Sequence, residues 1–93
     1  MLRPMMDRAT EDILLAIGRR IAEIRAEKGF TQESFADHAG ITHQYLQRLE
    51  GGKQNFSIKT LNRLAGLLGV SFDDLMVPPK DMSARSGRPP KKR

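Results

Sequence analysis

Few residue types in this chain offer chemistry. There is no cysteine, which removes disulfides, thiolate metal sites and a cysteine nucleophile. Ser34, Ser57, Ser71, Ser83 and Ser86 have no His–Asp partners at workable spacing, and Gly51-Gly52-Lys53 lacks the pattern of a phosphate-cradling P-loop. His38 and His43 have no third ligand nearby, so neither a metal site nor a cofactor is expected. Catalysis is not expected either. What stands out is the set Thr42, His43, Gln44, Gln47 and Arg48. With Ile41, Leu46 and Leu49 turned inward, helical spacing leaves these five on or near one outward side, and only Arg48 among them carries a formal charge. A merely solvated side more often carries Glu and Lys. Gln pairs bidentately with adenine, Arg pairs with guanine, and a Thr methyl rests on a thymine methyl. The set has the chemistry needed to read base edges in a DNA major groove.

Such a side is useful only if other elements hold it out. Residues 1–9 show no clear period and contain Pro4, and they read as a flexible lead-in. Thr10-Glu11-Asp12-Ile13 has the pattern of a helix start, a Thr cap followed by acids. Ile13, Ile17, Ile21 and Ile24, with Leu14 beside them, predict an amphipathic helix ending near Lys28, with Gly29 just past its end. Thr31 caps a short second helix carrying Phe35, Ala36 and Ala39 and stopped by Gly40; Thr42 caps a third that ends at Gly51-Gly52. Ser57 caps a fourth through Ile58, Leu61, Leu64, Ala65 and Leu68, closed by Gly69, and Ser71 to Met76 reads as one last turn or short fifth helix. Ala36 is small where two helices cross, and Gly40 suits a turn that requires positive φ. No segment of useful length alternates as a half-buried strand does. The expectation is a compact all-α domain of four to five helices over 10–77, with a helix-turn-helix over about 32–50.

The net charge is +5, but six bases against one acid from Lys80 to Arg93 account for all of it, so residues 1–79 are neutral. Within them, His38 to Phe72 holds Arg48, Lys53, Lys59 and Arg63 against Glu50 alone. A basic face is therefore expected on this half, the electrostatic footprint that nucleic acid requires. Residues 78–93 are rich in Pro, Ser, Gly, Lys and Arg and are expected to be a disordered basic tail. No stretch is long and apolar enough for a bilayer, and Met1 to Asp7 lacks the apolar core of a secretory signal. A cytoplasmic protein without a membrane partner is expected.

Lys28-Gly29-Phe30-Thr31-Gln32-Glu33, Phe35-Ala36, Ala39-Gly40-Ile41, Tyr45-Leu46, Leu49-Glu50-Gly51-Gly52-Lys53, Thr60-Leu61 and Leu67-Leu68-Gly69-Val70 together closely resemble the phage-repressor-like (Xre/Cro) helix-turn-helix family, over roughly residues 13–76. Tyr45-Leu46, Asn55 and Ser57-Ile58-Lys59-Thr60-Leu61 are also similar to the small controller proteins of restriction-modification systems. The resemblance implies a lambda-repressor-like fold that binds double-stranded DNA as a homodimer. It implies base contacts by His43, Gln44 and Arg48, with Thr42 and Gln47 secondary. It implies phosphate contacts by Gln32, Lys53, Gln54, Asn55 and Lys59, and a buried structural ion pair between Arg25 and Glu50. Two departures stand out. Gly51 replaces what is often a polar or basic side chain, and His43 and Tyr45 are less common choices, so no relative's base sequence can be borrowed.

Several readings stay open at this level. Tyr45 is either a phosphate contact through its hydroxyl or half-buried filler. Val70, Phe72, Leu75 and Met76 close the core, build a dimer interface, or do both. The tail follows the DNA backbone, aids solubility, or is a cloning remnant. The functional expectation is a transcriptional regulator, a repressor by default. An antitoxin of a toxin–antitoxin pair, with an unknown protein partner, and a protein-interaction module keeping the fold are the rivals.

Overall fold

The computed structural model describes residues 4–80. They form α1 (Pro4–Glu27), α2 (Gln32–Ala39), α3 (His43–Glu50), α4 (Ile58–Leu68) and α5 (Phe72–Leu75), with no strand among them. Each short helix opens on its own cap. The hydroxyls of Thr31, Thr42, Ser57 and Ser71 accept from the main-chain N–H three residues on, and Thr31 and Ser71 form capping boxes with Ser34 and Asp74. In the latter, the Ser71 main-chain N–H and then its hydroxyl hold the Asp74 carboxyl below the usual carboxylate range.

The first helix departs from the expected boundary. It runs from Pro4 straight through Thr10, so residues 4–9 are not a loose lead-in. Pro4 suits a first helical position, where its fixed φ is already helical and its missing N–H has no partner to lose. Met5, Met6, Arg8 and Ala9 contain no breaker. A good cap at Thr10 does not stop a helix already running. Residues 1–3 and 81–93, which include most of the proposed tail, lie outside the described residues. Pro78 to Lys80 do not leave the domain: the Lys80 main-chain N–H donates to Glu23, and its ammonium lies 3.8 Å from Glu27 on α1.

The core gathers Ile21 and Ile24 of α1, Phe35, Ala36 and Ala39 of α2, and Leu46 and Leu49 of α3. From the C-terminal half come Leu61, Leu64, Ala65 and Leu68 of α4 and Leu75 of α5. Two isoleucines of the apolar pattern fall outside it. Ile13 of α1 is 58% exposed and Ile58, which opens α4, is 67% exposed. Burying side chains such as Leu46 and Leu49 is worth roughly 1.5–3 kcal/mol each, and their positions on the inward side of α3 fix which side is left out.

Two glycines bring α1 against α3 and its following loop. A Cβ at Gly18 would collide with the carbonyl oxygen of Leu49 and stand 2.9 Å from that of Glu50. Gly52 has φ +74°, and a Cβ there would stand 2.7 Å from the Cα of Leu15. The last turn of α3 and the loop beyond it are thus seated on α1 by backbone contact. Arg20 ties α1 to α5 by donating to the Asp74 carbonyl at 2.8 Å, and Arg63 of α4 donates to the Ala39 carbonyl at the end of α2.

Candidate nucleic-acid interface

The α2–α3 turn sets the exposed helix. Gly40, with φ +72°, ends α2 in the left-handed conformation and gives its N–H to Ala36 and Asp37. The chain then passes through half-buried Ile41 to the Thr42 cap, whose hydroxyl accepts from Tyr45 at 3.0 Å. Of α3, Leu46, Leu49 and Glu50 are buried, while Thr42, His43, Gln44, Gln47 and Arg48 are exposed. Tyr45 is half-buried. It packs against the core and lines a shallow depression with Ile41, Thr42, Thr60, Arg63 and Leu64.

The two ends of α3 are held differently. At the N-terminal end His43 Nε2 lies 3.2 Å from Gln32 Oε1, and Gln32 Nε2 donates to Glu50 Oε1 at 2.8 Å. Glu50 is only 3% exposed and accepts a forked pair from Arg25, Nε at 2.6 Å and Nη2 at 3.0 Å. Arg25 Nη1 also donates to the Phe30 carbonyl at 2.9 Å, which closes the α1–α2 connection. His43 and Glu50 stand seven residues apart, two turns along one side of α3, and that side faces the first residue of α2. The charge pair, expected as structural, is therefore also the base of a network ending on an exposed imidazole. The side-chain amide of Gln32 has a protein partner at each end, so it faces Glu50 and His43 rather than standing free.

At the C-terminal end, Arg48 turns toward the α3–α4 loop. Its Nε donates to Gln54 Oε1 at 3.2 Å and its Nη2 to the Lys53 carbonyl at 3.3 Å, both exposed bonds. Lys53, Gln54 and Asn55 thus lie together with Arg48, and Lys59 is exposed one helix start away, on the first turn of α4. Gln44 and Gln47 lie between the two ends. The basic character of this region is not uniform in space. Glu11 and Asp12 of α1 line the same cleft as Arg48, Lys53 and Asn55, so the long first helix places acids beside bases that are distant in sequence.

Two contributors escaped the sequence reading. Gly18 lies inside an otherwise regular helical run, and a lone glycine there was the signal for a close helix crossing. The His43–Gln32–Glu50 connection was legible only as a spacing of seven, which does not reveal that a third side chain bridges it. His38 is exposed, with its ring stacked on Phe30 at 5.3 Å between centroids. Among the described residues, no three His, Asp or Glu side chains come together as a metal site, and no helix is long and apolar enough to cross a membrane.

This arrangement has counterparts. The helix-turn-helix family model HTH_3 matches residues 21–75. The uncharacterized HTH-type transcriptional regulator y4dJ of Sinorhizobium fredii is 42% identical over 67 residues, covering 72% of this chain and 87% of that protein. A prophage-derived HTH-type transcriptional regulator of Bacillus subtilis, YonR, is 42% identical over 59 residues, 63% of this chain but only 55% of that longer protein. Among solved structures, the restriction-modification controller protein C.AhdI of Aeromonas hydrophila superimposes with a TM-score of 0.63 at 32% identity, covering 67% of this chain and 94% of that one. Helix order, buried side of α3 and these matches agree, and the chain belongs to the Xre-like helix-turn-helix family HTH_3.

Proposed function

We propose that this chain is a sequence-specific DNA-binding transcriptional regulator of the cytoplasm, acting as a homodimer on an operator with two-fold symmetry. The observation that carries the reading is the division of α3. Leu46, Leu49 and Glu50 are buried, while Thr42, His43, Gln44, Gln47 and Arg48 are exposed, with His43 on the same side as Glu50 at the edge of the exposed surface. An α-helix fits a major groove, and these side-chain types match base edges. Gln44 and Gln47 pair with adenine, Arg48 with guanine, and Thr42 offers its methyl to thymine.

Phosphates set the register. Lys53, Gln54, Asn55 and Lys59 supply this from the loop and from α4, with Tyr45 reaching toward the backbone from the edge of α3. Gln32 contributes through its main-chain N–H in the first turn of α2, where unpaired donors and the helix dipole favour an anion. In the dimer the two α3 helices lie about 34–36 Å apart, in successive major grooves. The α4–α5 end is the candidate for a self-complementary contact, because Met76 and Val77 are exposed there and Leu67, Val70 and Phe72 are only partly buried. Regulation by blocking polymerase follows from occupying the operator.

Binding to a selected operator and to random duplex, measured from about 50 to 200 mM salt, tests the reading. The expected result is log K falling linearly with log[salt] on both, with an excess affinity for the operator of at least about 1000-fold. Equal and weak affinity for both duplexes would favour a module that binds protein instead.

A further inference from the structure

We infer that His43 is held in one tautomer by Gln32 and Glu50, and that this makes it a reader of base-edge donors, selecting adenine or cytosine. The inference rests on the reading of α3 as the helix that enters the DNA groove, and it specifies what one of its residues recognises.

The argument runs outward from the core. Glu50 is buried and receives two guanidinium bonds from Arg25, at 2.6 and 3.0 Å. A carboxylate in such a pair has only acceptor oxygens. The Gln32 atom 2.8 Å from Glu50 Oε1 must therefore be the amide nitrogen, because an amide oxygen there would oppose acceptor to acceptor. That choice fixes the other end of the amide. Gln32 Oε1 is then the atom 3.2 Å from His43 Nε2, and an acceptor at that distance requires Nε2 to carry the proton. In the neutral ring Nδ1 is consequently the bare nitrogen, an acceptor. His43 is exposed, and with Nε2 occupied by the protein, Nδ1 is the ring nitrogen left for DNA.

An acceptor in the major groove needs a donor. Adenine offers its N6 amino group and cytosine its N4 amino group, whereas guanine presents N7 and O6 and thymine presents O4, all acceptors. Neutral His43 therefore discriminates by class of base. Gln32 acts as a positioning residue, through which a buried ion pair at the end of α3 dictates what an exposed ring two turns earlier on the same side accepts.

The test is selection of binding sites from random duplex DNA by the full chain at pH 8, with wild type, H43A and Q32A in parallel. The position whose preference disappears in H43A is the one His43 reads. In wild type that position should be adenine or cytosine, enriched several-fold over guanine and thymine. In Q32A the same position should lose most of its bias while the positions read elsewhere on α3 keep theirs. Guanine or thymine at the His43-dependent position, or no position that depends on His43, overturns the inference while leaving the DNA-reading role intact. Failure to enrich any sequence overturns both. If Q32A does not fold, the two-bond proton–nitrogen NMR spectrum of the wild-type His43 ring decides: Nε2 must have the protonated shift and Nδ1 the bare one, and the reverse pattern refutes the inference.

Discussion

The two ends of α3, the proposed recognition helix, are held in different ways. At the start, His43 ends a chain of bonds that descends through Gln32 and Glu50 to Arg25. At the finish, Arg48 rests on Gln54 and Lys53 by exposed bonds of 3.2 and 3.3 Å. The first end is anchored more deeply, since its exposed contact between His43 and Gln32 leads through a part-buried bond to Glu50, which is buried. The second is adjustable, because each of its bonds can be exchanged for water or for phosphate at little cost. The difference teaches that one short helix can carry an anchored side chain at its start and an adjustable one near its finish. In the proposed function the anchored side chain would contribute discrimination, and the adjustable one would follow the DNA backbone as the groove is entered.

Breaking the anchored end should produce the largest effect. Arg25→Ala strands the Glu50 carboxylate in a buried position, which costs about 3–5 kcal/mol. Thermal unfolding followed by circular dichroism should show the midpoint falling by many degrees; an unchanged midpoint would mean the network anchors nothing. At the adjustable end, Arg48→Ala should leave the midpoint nearly unchanged. It should weaken binding to the selected operator by about 1–3 kcal/mol and blur one base pair per half-site. Lys53→Ala, one loop away, should weaken operator and random duplex alike and flatten the salt slope by about one unit. Identical behaviour of these two variants on both duplexes would erase the distinction between base and phosphate contacts.

Gln54→Ala sharpens the comparison with the smallest effect. It removes an exposed bond to Arg48, a long one to the Asn55 carbonyl and one uncharged proposed phosphate contact, so operator affinity should drop by no more than about 1 kcal/mol. A loss as large as that of Arg48→Ala would show that the adjustable end is in fact locked.

Much of this was legible in the chain itself, for reasons that differ from element to element. Thr31, Thr42, Ser57 and Ser71 announce their helices because a hydroxyl cap is a local interaction written within four residues. Gly29, Gly40 and Gly69 mark ends because positive φ is a local demand. The start of α1 was not legible: Thr10 has the right cap chemistry, but a helix begun at Pro4 has no reason to stop there. Ile13 matched the period of Ile17, Ile21 and Ile24, yet it is exposed. Periodicity says which side an apolar residue is on, and only tertiary contact says whether anything lies opposite.

The outward side of α3 followed from Leu46 and Leu49, since burying two leucines leaves little choice about what faces away. The bridging role of Gln32 did not follow. Its position suited a phosphate, and only the three-dimensional approach of α2 to both ends of α3 turns its amide inward. The same holds for Glu11 and Asp12, which share a cleft with Arg48 and Lys53 although they belong to the acidic start of the sequence.

Mapping the contact surface tests the central claim most directly. Backbone amide NMR of the full chain, titrated with mixed-sequence duplex DNA at low salt, reports every residue that meets the duplex. The expected result is the largest shifts at Gln32, Thr42 to Arg48, Lys53 to Asn55 and Lys59, with α4 beyond its first turn and α5 little affected. Shifts confined to the α4–α5 end, with α3 silent at saturation, would contradict the account.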